Sequence, residues 1–150
     1  MATLPIVAAR GDAAQRETSA EPDPRPDLRD EDITAVLVAF YDTVERDPLL
    51  APYFAGIDMR AHIPVIADFW STLLFHTGRY SGNAFRPHIQ MPGLTAEHFA
   101  HWLATLERTV DAMHAGPRAE LMKELGHRVA FSMQLRLGIA PRAAYRPDLP

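Results

Sequence analysis

Apolar residues recur through the middle of the chain at the three- and four-residue spacing of amphipathic helices. Four segments show this spacing: residues 32 to 46, a segment from about 61–64 to 78, residues 96 to 113 after Thr95, and residues 117 to 138. Their apolar faces carry, in order, Ile33, Val36, Leu37, Phe40, Tyr41 and Val44; Ile66, Phe69, Trp70, Leu73 and Leu74; Phe99, Trp102, Leu103, Leu106, Val110 and Met113; and Met122, Leu125, Val129, Met133 and Leu137. Pro64 is compatible with the second helix only in its first turn. The pattern predicts an all-α fold of four amphipathic helices without strands.

Both ends of the chain are rich in proline and charge. Residues 1 to 29 contain Gly11, Pro22, Pro24 and Pro26 among Asp, Glu and Arg, and residues 141 to 150 have the same character. A segment with so few large apolar residues has little surface to bury. We therefore expect a disordered tail at 1 to 29, one folded domain at 30 to 139 and a second tail at 140 to 150.

Composition narrows the class of protein. A chain of 150 residues with 47% hydrophobic content suits one domain with a core. The absence of cysteine excludes disulfides and thiolate ligation, and the net charge of −4 without a basic cluster argues against a nucleic-acid partner. The opening MATLPIVAARG lacks the basic start of a secretory signal, and no apolar stretch is long enough for a membrane span. We expect a soluble, cytoplasmic protein with neither nucleic acid nor membrane as a partner.

One histidine stands apart from the four helices, in the short segment between the second and the third. His88 follows Pro87 directly, and Pro92 with Gly93 ends the segment soon after. Proline restricts the backbone, so the imidazole is held on a short, stiff element beside a helical core. An axial haem ligand requires this arrangement, because its second ring nitrogen must be oriented by a hydrogen bond. A lone loop histidine is more often exposed to solvent, so both interpretations are open on this residue alone.

Other polar residues of the helices also have a purely structural interpretation. Tyr41 and Trp102 suit a core in which the OH or NH group reaches a carbonyl, which is the commoner fate of a buried Tyr or Trp. The pair His98 and His101 suggests a metal site. However, the apolar face of the third helix turns His101 to solvent and leaves His98 at the edge. With no acidic partner at matching spacing, we expect no metal there.

Taken together, five segments resemble the truncated haemoglobins, most closely their third group. They are FYDTV (40 to 44), LLAPYF (49 to 54), HIPVIADFW (62 to 70), GRYSGNAFRPH (78 to 88) and HFAHWLATL (98 to 106), within a match that covers residues 32 to 138. The chain lacks the Gly-Gly pairs of the first two groups. It departs from the family in having Ala84 where a proline is common and Pro64 two residues after His62.

The resemblance implies a globin-like two-over-two helical sandwich around haem b, iron protoporphyrin IX. By that resemblance His88 is the proximal iron ligand, and Tyr41 and Trp102 are the distal donors to a bound diatomic molecule. His62 falls at the distal histidine position, where the sequence leaves open whether it also ligates ferric iron. Further implied contacts with the haem come from Ile66 as a pocket wall, Phe54 against the porphyrin, and Arg79, Tyr80 and Arg86 at the propionates.

The implied function is binding of dioxygen, nitric oxide and carbon monoxide at a penta-coordinate haem iron, for ligand chemistry rather than bulk oxygen transport. Several distal donors would retain a partly negative ligand such as dioxygen. An enzymatic form, a nitric oxide dioxygenase or a peroxidase-like activity, needs a separate reductase, since no flavin or nicotinamide motif is present in the sequence. A monomer is favoured. The alternative is a cofactor-free helical interaction module in which Tyr, Trp and His only pack.

Overall fold

The computed structural model describes residues 21 to 139, apart from the side chain of Ile89. This part of the chain forms helices α1 (Ile33–Val44), α2 (Met59–Phe75), α3 (Phe85–Ile89), α4 (Ala96–Met113) and α5 (Pro117–Arg136), with 3-10 turns at Asp30–Asp32 and Ala51–Tyr53. No strand occurs between residues 21 and 139, and no helix in this range is long and apolar enough to cross a membrane. The predicted all-α class is confirmed.

Two helix pairs make up the fold. Helix α1 packs on α2 and α4 packs on α5, while contacts of α1 with α4 and of α2 with α5 join the pairs. The face of α1 that the spacing predicts is wholly buried: Ile33, Val36, Leu37, Phe40, Tyr41 and Val44. Facing it in the main core are Trp70 and Leu74 of α2 and Leu106 and Val110 of α4. Burial of these apolar faces is the main favourable term of folding, and the arrangement is the expected two-over-two sandwich.

Helices α4 and α5 approach closely because α5 buries three small residues, Ala119, Gly126 and Ala130. A Cβ atom on Gly126 would lie 2.6 Å from Cδ2 of Leu106 on α4. The buried face of α5 is therefore rotated toward these small residues. Leu125 and Val129, which the spacing predicts on this face, are only partly buried.

Helix α2 differs from its predicted bounds at both ends. Its start moves to Met59 because the Asp58 carboxylate accepts the backbone N–H of Arg60 at 3.1 Å, as an N-cap does. Pro64 consequently lies in the second turn rather than the first, where it leaves the exposed carbonyl of Arg60 without an N–H donor from the helix. The helix ends at Phe75, not at Gly78, because His76 adopts the left-handed conformation with φ of 55°.

The packed chain begins a few residues before the predicted boundary at residue 29. The Asp27 carboxylate accepts the backbone N–H groups of Arg118 and Ala119 at 3.0 to 3.1 Å, and the Leu28 side chain is only 2% exposed in the main core. Leu28, the single large apolar residue in this stretch, and the carboxylate of Asp27 together join it to the domain. Residues 1 to 20 and 140 to 150, where the tails were predicted, lie outside the described residues.

Candidate functional site

A cavity of about 260 Å³ is lined by residues from all five helices. Its lining contains no Asp, Glu, Lys or Arg, and its polar groups belong to histidines, tyrosines and tryptophans. Two apolar residues of the lining, Ile57 and Val65, are 36% and 50% exposed, so an apolar edge faces solvent. A mostly apolar cavity with a few placed polar groups is the usual form of a cofactor site.

Seven of the nine predicted site residues line this cavity: Tyr41, Phe54, His62, Ile66, Tyr80, His88 and Trp102. They come from segments as far apart as α1 and α4. The fold thus gathers side chains that the sequence keeps separate. Arg79 and Arg86 are outside the lining.

His88 lies on α3, a helix of five residues whose first turn is held by local contacts. The Asn83 side-chain oxygen accepts the backbone N–H of Phe85 at 3.0 Å, and Pro87 falls in the first turn, where its missing N–H has no helical partner to lose. His88 Nδ1 lies 2.7 Å from the carbonyl oxygen of Ala84. Because a carbonyl can only accept, Nδ1 carries the proton and Nε2 keeps a free lone pair.

His88 differs from a solvent-exposed loop histidine in its burial, its place on the cavity and its hydrogen bond. The imidazole is half-buried, lines the cavity and is oriented by a backbone carbonyl. Metal-bound histidines are held in this way, with the second ring nitrogen donating to a carbonyl or carboxylate. The neutral imidazole with its Nε2 lone pair available is chemically suited to ligate a metal ion.

Tyr41 reaches the cavity from the buried face of α1. Its ring packs edge-on against Phe40 at 4.8 Å and against Phe54 at 5.5 Å between centroids. Burial raises the pKa of the Tyr41 phenol well above its usual range, so the hydroxyl keeps its proton. Within residues 21 to 139 that hydroxyl has no hydrogen-bond partner. It is a protonated donor left unused at the cavity.

Trp102 presents a second unused donor from α4. Its ring meets Phe40 edge-on at 5.8 Å between centroids, and its indole NH makes no hydrogen bond in the described part of the chain. Trp102 is half-buried at the cavity, so its NH and the Tyr41 hydroxyl are both available there as donors.

His62 and Ile66 lie four residues apart on α2 and both line the cavity. Positions separated by four residues share a helix face, so the two side chains reach the cavity one turn apart. His62 belongs to the first turn, which Asp58 caps. The helix continues through Pro64 and keeps both residues on the cavity side.

Two comparisons with known proteins agree with this architecture, although no protein-family profile matches the chain. The chain is 23% identical over 113 residues to a group 3 truncated haemoglobin of Campylobacter jejuni, a match that spans 71% of this chain and 89% of that protein. The crystal structure of a group III truncated haemoglobin from Campylobacter jejuni matches with a TM-score of 0.67 and 24% identity, over 73% of this chain and 91% of that one. The chain has the truncated globin fold. The resemblance to the third group of truncated haemoglobins is confirmed.

The three residues predicted at the haem propionates do not share one location in this truncated globin fold. Tyr80 lines the cavity and packs edge-on against Phe69 at 5.3 Å. The Arg79 guanidinium instead forms an ion pair with Asp30 at 2.5 Å, which ties the segment after α2 to the start of α1. Arg86 is exposed. Of these three residues, the structure brings only Tyr80 to the cavity.

Several residues that line the cavity were not singled out from the sequence. They are Leu50, Tyr53, Ile57, Val65, Met91, Leu94 and Ala130. The helical spacing had placed Met133 and Phe99 on inward faces, which was a usable signal for α4 and α5. For the missed loop residues the periodicity gave no signal, because residues 50 to 57 and 91 to 94 have no helical period.

The two histidines of the first turns of α4 have different surroundings. His101 is exposed, with Nδ1 3.0 Å from Asp47 Oδ2 and Nε2 3.9 Å from Glu97 Oε1. The hydrogen bond from His101 lowers the pKa of Asp47. His98 lines the cavity. Among residues 21 to 139, no group of three or more His, Asp and Glu residues is arranged to hold a metal ion.

Proposed function

We propose that this protein binds haem b in the cavity, with His88 Nε2 as the axial ligand, and binds a diatomic gas beside Tyr41 and Trp102. The observation that carries the proposal is the hydrogen bond of His88 Nδ1 with the Ala84 carbonyl, which fixes a free Nε2 lone pair in an uncharged cavity. The relative in Campylobacter jejuni that the chain resembles is a truncated haemoglobin.

The remaining lining residues suit haem b by their chemistry. A porphyrin is a broad apolar ring, and Phe54, Ile66 and Phe69 are among the apolar side chains that would contact it. When bound, haem supplies an iron with an open coordination position for a diatomic gas. The apolar lining would exclude water from that position and strengthen each polar contact made there.

The two unused donors favour retention of a polar ligand over rapid exchange. The Tyr41 hydroxyl stays protonated because burial raises its pKa, and the Trp102 NH can only donate. Each would stabilise a ligand with partial negative charge, such as dioxygen, by about 1 to 3 kcal/mol. His62 adds a third polar group on the same cavity.

Slow release of dioxygen favours ligand chemistry over bulk transport. We propose oxidation of nitric oxide to nitrate or reduction of peroxide as the classes of reaction, with carbon monoxide as a further ligand. Turnover needs electrons from a separate reductase. We propose a cytoplasmic location, which the absence of cysteine fits, and a monomeric state.

The proposal is tested by adding haemin to the full chain and recording the absorption spectrum. We expect a Soret band that saturates at one haem per chain. His88→Gly should lose the band or lose haem within the purification, and added imidazole should restore it, because the axial bond is the specific tether to the iron. His101→Ala, an exposed position outside the cavity, is the matched control and should bind haem normally.

Two outcomes would contradict the proposal. If the wild-type chain gives no Soret band, the cofactor-free interaction module is the better account. If His88→Gly keeps the wild-type haem content and ferrous spectrum, the axial ligand is another residue.

A further inference from the structure

His98 lines the same cavity as His88, in the first turn of α4. Its Nδ1 atom accepts the backbone N–H of Thr95 at 3.0 Å and lies 2.8 Å from the Thr95 hydroxyl. A backbone N–H can only donate, so Nδ1 must be the unprotonated nitrogen and the ring proton resides on Nε2. The helix cap therefore fixes His98 in the tautomer opposite to that of His88.

The orientation of the His98 ring is fixed from a second side by Tyr53. The two rings meet edge-on, at 5.3 Å between centroids and 87° between planes. The Tyr53 hydroxyl in turn donates to the carbonyl oxygen of Pro92 at 2.8 Å, which fixes the tyrosine. Within residues 21 to 139, the Nε2–H group of His98 has no hydrogen-bond partner. It is a pre-oriented donor on a cavity-lining residue.

The cavity needs such a donor if its ligand has an acidic edge. No Lys or Arg lines the cavity, and of the two arginines predicted at the propionates, Arg79 is paired with Asp30 and Arg86 is exposed outside the lining. An uncharged N–H donor can bind a carboxylate without the cost of desolvating a second charge.

We propose that His98 donates its Nε2–H to a carboxylate of the bound porphyrin and thereby slows haem release. This proposal rests on the proposed function. It assigns the anionic edge of the ligand to a neutral histidine that the helix cap holds in one tautomer, rather than to the arginines Arg79 and Arg86. His98 is thus a positioning residue for haem, distinct from the axial ligand.

The test compares two haems in the full chain: haem b and its dimethyl ester, whose propionates are blocked. The variants are His98→Glu and His98→Gln, because Glu and Gln are the usual partners of a capping threonine at this position and should keep the start of α4 intact. Glutamate cannot donate and repels a carboxylate, whereas glutamine retains an amide N–H. The readout is the rate of haem transfer to excess apomyoglobin, with thermal unfolding of each variant as the check on the cap.

We expect His98→Glu to release haem b about tenfold faster than wild type and to release the dimethyl ester at the wild-type rate. His98→Gln should release haem b at a rate between those of wild type and His98→Glu. Equal acceleration for both haems would show that His98 acts only through the fold and would overturn the proposal. So would wild-type release rates in both variants.

Failure of the proposed function has a different signature. In that case the wild-type chain takes up neither haem, and both proposals fall together. If the wild type binds both haems and only the propionate dependence is missing, the proposal for His98 falls alone.

Discussion

At the scale of single residues, the backbone decides which nitrogen carries the proton in two histidines of the cavity. His88 is held by the Ala84 carbonyl, and His98 by the Thr95 N–H. A carbonyl leaves a lone pair on Nε2, while an N–H leaves a proton there. The same residue type therefore provides a candidate metal ligand at one position and a hydrogen-bond donor at the other.

The distal donors should control the rate of dioxygen release. Tyr41→Phe or Trp102→Phe removes one hydrogen bond worth about 1 to 2 kcal/mol, so dioxygen should leave about tenfold faster from either variant. Carbon monoxide is less polar when bound and should leave at nearly the wild-type rate. Stopped-flow dissociation rates for both gases in the wild type and each variant provide the measurement.

Val38→Ala on the same helix is a suitable control, since the Val38 side chain is 52% exposed and outside the cavity. Small and equal effects on the two gases would mean that Tyr41 and Trp102 only pack. The account of slow dioxygen release would then lose its physical basis.

Seven of the nine site residues predicted from the sequence line the cavity, but the sequence did not predict how they are held. His88, Tyr41 and Trp102 were predicted from their positions within the segments that resemble truncated haemoglobins, and the structure places all three on the cavity. His98 was placed at a helix edge instead. Its ring contacts Tyr53 of the 3-10 turn Ala51–Tyr53, far from α4 in the chain. The helical period of α4 does not show a contact between its first turn and that distant turn.

At the scale of elements, the periodicity predicted the long helices and missed the short one. Helix α1 buries the whole predicted face, whereas α3 has five residues and cannot show a 3.6-residue period. The predicted start of α2 was too late in the chain, because the N-cap Asp58 is separated from the apolar stripe by several residues. Helix ends are set by single polar contacts, and these are the least visible part of a sequence pattern.

The start of α5 depends on a cap from a distant part of the chain. The Asp27 carboxylate accepts the backbone N–H groups of Arg118 and Ala119. It can approach them only because Gly116 has no side chain, since a Cβ atom on Gly116 would lie 2.6 Å from the Asp27 Cγ. Burial alone would raise the pKa of Asp27, but the N–H donors outweigh it, so the pKa lies below its usual value.

Asp27→Ala should therefore destabilise the protein by about 1 to 2 kcal/mol at pH 7, the usual cost of losing an N-cap. Because the pKa is depressed in the folded state, the charged cap stabilises above the unfolded pKa of about 3.9 and this contribution is lost as pH falls through the lower folded value. Urea unfolding of wild type and Asp27→Ala between pH 7 and pH 3 provides the measurement. The difference between their free energies of unfolding should become smaller as the pH falls.

Asp42→Asn is the matched control for this cap. Asp42 forms an exposed pair with Arg46 on α1, and such surface pairs contribute little. If the free energies of unfolding of Asp27→Ala and wild type differ by the same amount over the whole pH range, the role of the charged cap is contradicted.

At the scale of the whole molecule, the fold combines a filled core with a cavity at its edge, where Tyr41, Leu50 and Trp70 belong to both. The main core holds α1, α2 and α4 together through residues such as Phe40, Leu74 and Leu106, each at most 1% exposed. A second, smaller cluster of Phe99, Ala130 and Met133 lines the cavity. A ligand in the cavity would therefore contact the second cluster and the edge of the main core, and would leave Phe40, Leu74 and Leu106 in place.

The last prediction concerns where this folded unit begins. Composition alone suggested that residues 1 to 29 contribute nothing to stability, but Leu28 is buried and Asp27 caps α5. We expect removal of residues 1 to 20 to leave the free energy of unfolding unchanged. Removal of residues 1 to 28 should cost about 3 to 5 kcal/mol, since it deletes a buried leucine together with a helix cap.

The two truncations should be compared with Leu28→Ala in the full chain, using urea unfolding of the haem-free protein so that ligand binding does not contribute. The point variant should account for about 2 to 4 kcal/mol of the loss from the longer truncation. Equal stability of the two truncated chains would mean that the contacts of Asp27 and Leu28 add nothing, and the boundary at residue 29 would stand. A large loss from the shorter truncation would show instead that residues 1 to 20 stabilise the fold.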